Sequence, residues 1–214
     1  MNSFLIAAIF FAALESLVLW KGWRRLEFLS KPGVMICLFL WLFSAAGLDG
    51  AMFWFGLGIL FSLAGDRLFL AGLIAFLAAH LCYVIGFNIP LPQVTAWSLV
   101  LAVVIGFGGA RLIRRIVAPL TAQGKARLRM PILIYSLVIS LMLLSAMQKL
   151  TDLTWNGGAA ILVSLGALLF YASDILLAWN KFVSPIKHGR LFNIGAYHLG
   201  QIALIAGVVM QFGK

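Results

Sequence analysis

The chain has 214 residues, 64% of them hydrophobic and 10% charged, with a mean hydropathy of +1.08 and a formal net charge of +10. A soluble domain is about 45–50% apolar and about 25% charged, so no water-soluble fold fits this chain. Its basic residues fall in short loops between apolar stretches, a pattern that excludes nucleic acid as a partner and points to membrane lipid.

A helix needs about 20 mostly apolar residues to cross the hydrocarbon. The first such window is 2–20. It has no basic residue ahead of it and no small-residue cleavage site, which predicts a first transmembrane helix rather than a removable signal peptide. Windows follow at 32–48, where Pro32 suits a first helical turn, and at 51–70 and 71–88, with no polar break between Leu70 and Ala71. Pro90 and Pro92 bracket the turn before 92–110. Pro131 opens 131–149, Gly157-Gly158 opens 157–178, and the last window is 191–212. The predicted fold is therefore all-α, a single polytopic bundle of eight spans over residues 1–214. Cys37 and Cys82 lie inside spans and read as small buried hydrophobes rather than a disulfide.

Eight spans make the loops alternate between two sides. One side collects Lys21, Arg24, Arg25, Lys31, Arg67, Arg111, Arg114, Arg115, Lys125, Arg127, Arg129, Lys181, Lys187 and Arg190, against Lys149 and Lys214 on the other. The positive-inside rule puts the first set in the cytoplasm and both termini outside it. A bacterial inner membrane is the expected setting.

Depth follows from the helical rise of about 1.5 Å per residue. Counted from each span's basic end, Asp66 lies about 6 Å in, Asp174 and Glu15 about 8 Å, His198 about 10 Å and His80 about 14 Å. Ser62, Tyr83, Tyr171, Ser173, Tyr197 and Gln201 share that layer, while the fifth and sixth spans contribute only Ser136, Ser140, Ser145 and Gln148. Ionisable groups at such depth are costly, face the bundle interior and mark functional sites by default. Glu15 has an alternative in Lys21 or the interface, and the histidines have one in plain interhelical hydrogen bonding. Aspartate cannot snorkel and is a poor helix former, so Asp66 and Asp174 are the strongest functional candidates.

The stretches "LFSLAGDRLFL" and "LLFYASDILLA" align at these two aspartates, sharing Leu60/Leu168, Ala64/Ala172 and Leu68/Leu176. A parallel duplication, four helices plus four, would bring both to one axis. GxSxG, HExxH, Walker and CxxC motifs are absent. With three histidines, His188 among them in a loop, a three-His zinc site is not expected; His80, His198 and a carboxylate stay open as an alternative.

"KPG" at 31–33, "FSLAGDRLF" at 61–69, "FLAAHLCYVIGF" at 76–87, "GALLFYASDILLAW" at 166–179 and "YHLGQIALIAG" at 197–207 resemble, in content and order, the lysoplasmalogenase (YhhN-like) family. The resemblance runs over nearly the whole chain. It departs at Arg67 and His198, where an aliphatic residue and a tyrosine are expected. It implies an integral membrane hydrolase cleaving the vinyl ether of a lysoplasmalogen, a single-chain ether phospholipid, to a fatty aldehyde and a glycerophospho-ethanolamine or -choline. No cofactor or metal is expected.

Such chemistry protonates the outer alkene carbon and passes through an oxocarbenium ion, which suits paired carboxylates. On this reading Asp66 and Asp174 are the catalytic pair. His80, Tyr83, Ser173, Tyr197, His198, Gln201 and Glu15 support them, and Lys31, Arg67 and Lys181 hold the phosphate. The aliphatic chain is expected in the apolar half of the bundle beyond the aspartates. Two other readings stay open. One is a proton- or cation-coupled transporter of small molecules or lipids. The other is a scaffold, whose mark would be an unpaired, lipid-exposed aspartate.

Overall fold

The computed structural model describes residues 2–64 and 69–213, and the side chains of all of these except 24–29 and 69–71. Among them are eight α-helices and no strand: α1 (Ser3–Lys21), α2 (Arg24–Ala46), α3 (Ala51–Ala64), α4 (Phe69–Phe87), α5 (Ala96–Val117), α6 (Arg129–Met147), α7 (Gly157–Phe182) and α8 (Gly189–Phe212). Five helical stretches are long and apolar enough to cross a membrane: Ser3–Lys21, Ala96–Leu120, Ala126–Thr151, Gly157–Phe182 and Gly189–Phe212. Three shorter apolar helices accompany them, Ser30–Ala46, Ala51–Ala64 and Gly72–Phe87.

Helix ends follow local chemistry. α1 begins where the Asn2 side chain accepts the Phe4 N–H at 2.9 Å. It ends at Gly22, whose φ of +73° lets the chain turn back so that Gly22 and Trp23 N–H groups reach Leu19 and Val18 carbonyls. A reciprocal Thr95–Ser98 capping box opens α5, and Asn156 caps the Gly158 and Ala159 N–H groups of α7. Arg114 and Arg115 stand in the last turn of α5, where the helix dipole favours positive charge.

Several boundaries differ from expectation; α5 spans Ala96–Val117 rather than 92–110. Pro32 lies inside α2, which begins eight residues earlier at Arg24; the charged stretch ahead of the proline is helical as well, too polar for the apolar window to include. α4 already starts at Phe69, so the third helix does not run to Leu70. α7 runs four residues past the predicted end, to Phe182, which sets Asp174 about 12 Å from that terminus.

α1 packs on α2, α3 on α4 and α7 on α8, with α4 and α6 joining the pairs; α5 touches chiefly α6 and lies at the edge. Its Val103, Val104 and Phe107 face outward, as lipid contact requires. The α7–α8 seam is the closest in the bundle: Gly166 of α7 meets Gly200 and Leu204 of α8, and Gly207 meets Ala159 and Val163. Small residues allow such backbone approach in membranes, where dispersion rather than water exclusion joins helices. The core around it runs from Val34, Leu38 and Phe55 through Tyr83 and Phe170 to Leu204.

At the end opposite the basic loops, Lys149 donates to Asp152 at 2.9 Å and lies over the Trp155 ring. Burial alone would raise the Asp152 carboxyl, but hydrogen bonds from the Thr154 hydroxyl, Lys149 and the Thr154 N–H outweigh it and hold the group below the usual value of 3.8. A depressed carboxyl stabilises the fold above its unfolded value and loses that contribution as pH falls through the lower folded value. Wild-type protein should therefore lose its thermal-stability advantage over Asp152→Asn below about pH 4. A constant gap between the two from pH 6 to pH 3 would contradict the assignment.

Candidate active site

Asp174 sits on α7 with its side chain 15% exposed. One carboxylate oxygen, Oδ2, collects its contacts. The Tyr135 hydroxyl of α6 donates to it at 2.5 Å, and His80 Nε2 of α4 lies 3.3 Å away. His80 Nε2 and the Tyr135 hydroxyl are themselves 3.1 Å apart, so three helices meet at one oxygen. His80 is fully buried, with its ring against Phe170 (4.6 Å between centroids) and Tyr135 (5.4 Å).

Beside Asp174 lies a cavity of about 210 Å³. Gly72 and Phe76 of α4 form one wall and Leu112, Ile113 and Ile116 of α5 another. Ile132, Tyr135 and Ile139 of α6 and Tyr171, Ala178 and Phe182 of α7 complete it. The room exists because small residues stand where neighbours would otherwise close it: a Cβ on Gly109 would come within 3.2 Å of the Tyr171 hydroxyl. The walls are aliphatic and aromatic, with polarity confined to Asp174, Tyr135, Tyr171 and Ser136. An apolar slot with a few convergent polar groups is the usual form of a small-molecule site.

The slot does not lie in the half where the aliphatic chain is expected. The slot runs along α7 from Tyr171 towards Phe182, on the side of the basic loops, and not in the half beyond the aspartate. That other half is filled by the Gly166–Gly200 seam and by a ring cluster in which Phe76, Phe170 and Tyr197 meet edge to face at 5.3–6.3 Å.

The remaining sequence-predicted residues divide into groups. Tyr83 donates to Gln201 Oε1 at 2.8 Å, and Gln201 Nε2 donates to Ser62 at 3.1 Å, a buried chain joining α4, α8 and α3. Because Tyr83 follows His80 by three residues, one face of α4 serves both this chain and the Asp174 cluster. The two are not hydrogen-bonded to each other. The Tyr197 hydroxyl meets Met35 Sδ at 3.1 Å, and Ser173 offers its backbone carbonyl to Asn193 at 2.7 Å. Glu15, fully buried on α1, accepts a short hydrogen bond from Ser30. His198 is buried beside Tyr197, with neither ring nitrogen hydrogen-bonded. Lys31 is half-buried on α2, and Lys181 is exposed in the last turn of α7 next to Phe182. Asp66 and Arg67 lie outside the described residues.

Sequence reasoning missed Tyr135. It stands about 9 Å from the basic end of α6, in the same layer as Asp174, and depth alone would have flagged it. Among the described residues no three His, Cys, Asp or Glu side chains gather as a metal site, so His80 and His198 do not form one with a described carboxylate. Asp174 is hydrogen-bonded and largely covered, which is not the lipid-facing aspartate that a scaffold would present.

The bundle and its site define a membrane protein of helical spans that holds a carboxylate at the wall of an apolar slot. The chain belongs to the YhhN family, whose sequence pattern matches residues 26–208. It is 28% identical over 216 residues to Lysoplasmalogenase TMEM86B of Sus scrofa, covering 95% of this chain and 85% of that protein. The Homo sapiens protein of the same name is 30% identical over 179 residues (79% and 70% covered), and that of Mus musculus 29% over 191 (86% and 74%). No solved structure matches the chain.

Proposed function

We propose that this protein is an integral membrane ether-bond hydrolase that cleaves the vinyl ether of lysoplasmalogens. The observation that carries the reading is Asp174, hydrogen-bonded by Tyr135 and lining an apolar slot inside a membrane bundle. The names of the relatives in the same family support the substrate class.

The chemistry balances with water as the only co-reactant. A carboxylic acid gives its proton to the outer alkene carbon as the π electrons form the new C–H bond, leaving an oxocarbenium ion. Water attacks the carbon that bears oxygen and passes a proton to a carboxylate. The resulting hemiacetal then breaks its bond to the glycerol oxygen, which takes that proton from the carboxyl, while the hemiacetal hydroxyl gives its own proton to the other carboxylate and a fatty aldehyde departs. Asp66 and Asp174 are our candidates for the pair. Tyr83, Gln201 and Ser62 form a polar chain reaching α3, and Ser62 precedes Asp66 by four residues in the sequence. Glu15, Ser173, Tyr197 and His198 would act by holding α1, α7 and α8 around the site. Lys31, Arg67 and Lys181 would meet the phosphate at the basic end of the bundle.

We read the eight helices as eight crossings with both termini on the non-cytoplasmic side, following the loop charges. A four-plus-four repeat is part of the same proposal; its support is the shared pattern around the two aspartates.

The test is aldehyde release by detergent-purified protein from lysoplasmenyl-ethanolamine, with the saturated alkyl ether alongside. Aldehyde from the vinyl ether alone is expected, because only an alkene carbon can be protonated. Equal cleavage of both ethers, or of neither, would overturn the reading. Filling the slot supplies a second expectation. Gly109→Leu should raise the KM for long-chain substrates about 10-fold or more, one to three kcal/mol being the usual worth of a methylene's fit in an apolar pocket, while short-chain analogues retain activity. An equal effect on every chain length would place the chain elsewhere.

A further inference from the structure

One face of α7 lays the slot out in order. Tyr171, Asp174 and Ala178 line it, and Lys181 continues the same face, two turns beyond Asp174. The helical rise sets Lys181 about 10 Å from Asp174 along the axis, in the last turn at the basic end of the bundle. A long side chain on a helix leans towards its N-terminus, here back towards Asp174.

The connection between α5 and α6 returns to this point. Its Leu120 is fully buried against Ile116, Ile132 and Phe182, three residues that also line the slot. The Lys125 N–H donates to the Leu120 carbonyl at 2.8 Å, which closes the turn between them. Gln123 then bridges two elements: its Nε2 donates to the Phe182 carbonyl at 3.0 Å, and its Oε1 accepts from Lys125 Nζ at 3.2 Å. Both contacts fix the amide the same way round, because a carbonyl can only accept and an ammonium can only donate. Lys125 is thereby tied to the residue that follows Lys181, and the two ammonium groups stand near enough to act on one another's charge.

The positive-inside rule asks for basic residues in this loop but not for any arrangement of them. Lys125 is held in one place, beside a second cation, where like charges repel. The negative end of the α7 dipole offsets part of that repulsion. An anion lying between the two lysines removes the rest and accepts charge-assisted hydrogen bonds, and the anion of a lysophospholipid is its phosphate.

We propose that Lys125 and Lys181, with Gln123 as the strut between them, form a phosphate clamp at the basic end of the slot, so that spacing along α7 selects a lysophospholipid. The phosphate rests on the lysines, the glycerol spans the two turns of α7 past Ala178, and the vinyl ether lies at Asp174. This rests on the hydrolase reading and adds Lys125 and Gln123 to it as specificity determinants. No bond is made or broken at the clamp.

The test is binding of two uncleavable saturated ethers to the purified protein in neutral detergent, by isothermal titration. One is an alkyl-glycerophosphoethanolamine, and the other is the matching alkyl-glycerol, which has the chain and the glycerol but no phosphate. Lys125→Ala should raise the Kd for the phospholipid about 10-fold or more, the usual worth of a hydrogen bond to a charged group, and leave that for the alkyl-glycerol unchanged. Lys125→Arg keeps the charge and should retain most of the affinity. Gln123→Ala, which unties Lys125 from α7, should weaken the phospholipid alone, by a smaller factor. Arg127→Ala removes an exposed cation of the same loop and should change neither ligand. Equal losses for both ligands in Lys125→Ala, no loss for the phospholipid, or the same loss in Arg127→Ala would overturn the clamp. Weaker binding of phosphatidylglycerol by Lys125→Ala, with the ether phospholipid unaffected, would assign the lysines to bilayer lipid and overturn it as well. In hydrolysis, Lys125→Ala should raise the KM for lysoplasmenyl-ethanolamine with kcat little changed. Absence of aldehyde release from wild type would sink the hydrolase reading separately, and the titrations would still decide the clamp.

Discussion

Asp174→Asn is expected to lower aldehyde release from lysoplasmenyl-ethanolamine by about 10³-fold or more, with the protein still folded. Asparagine has the shape of aspartate, so the Tyr135 hydroxyl keeps an oxygen to donate to, and α7 keeps its place. What disappears, on the proposed mechanism, is a carboxyl that can give or take a proton at the slot wall. General acid or base catalysis alone contributes about 10²–10⁴-fold. Activity should be measured beside thermal unfolding and gel filtration. A folded Asp174→Asn protein with more than a tenth of wild-type kcat would remove Asp174 from the chemistry.

Gly166→Ala carries the largest expected structural effect. A Cβ there would lie 2.5 Å from the Leu204 nitrogen, 2.7 Å from the Gly200 carbonyl oxygen and 2.9 Å from the Leu204 Cα. All three are backbone atoms of α8, so no side chain can rotate away and the two helices must part. Overpacking of this kind costs about 1–3 kcal/mol. Parting α7 from α8 also loosens the contacts of Phe170 and Tyr197, and Phe170 is the ring against which His80 stands. The variant should melt at lower temperature and lose activity with it. Gly195→Ala, on the same α8 but with nothing within 4 Å of the added carbon, should leave stability unchanged or slightly raised. Equal melting temperatures for the two variants would show that the seam tolerates separation.

Much of this arrangement was legible in the sequence, because the membrane imposes simple rules. Apolar windows located eight helices to within a few residues at most ends, since a helix in hydrocarbon must be apolar along its length. Pro32 and the ends of α5 and α7 escaped for the converse reason: Arg24–Lys31, Arg111–Val117 and Trp179–Phe182 are helical but too polar for the apolar criterion to claim. Asp174 stood out by the cost of its charge at depth, and His80 by the same argument. Their meeting at one oxygen was not legible, because it depends on the rotation of α4 and α7 about their own axes. Tyr135 was overlooked although its depth puts it in the layer that supplied Tyr83, Tyr171 and Tyr197. The slot is lined from four helices with Gly109 among its residues, and an absent side chain leaves no mark in composition. Tyr83 and Gln201 sat in the right layer yet belong to a second polar chain, which depth alone does not distinguish from the first.

The account's central claim is protonation of carbon followed by capture of the cation by water. It is tested most directly by letting the purified protein cleave lysoplasmenyl-ethanolamine in D₂O, reducing the aldehyde at once with borohydride, and weighing the alcohol. The account predicts a fatty alcohol with one deuterium on the carbon next to the former carbonyl, delivered there by the enzyme's acid. Aldehyde without carbon-bound deuterium, or no aldehyde from folded protein, would contradict it.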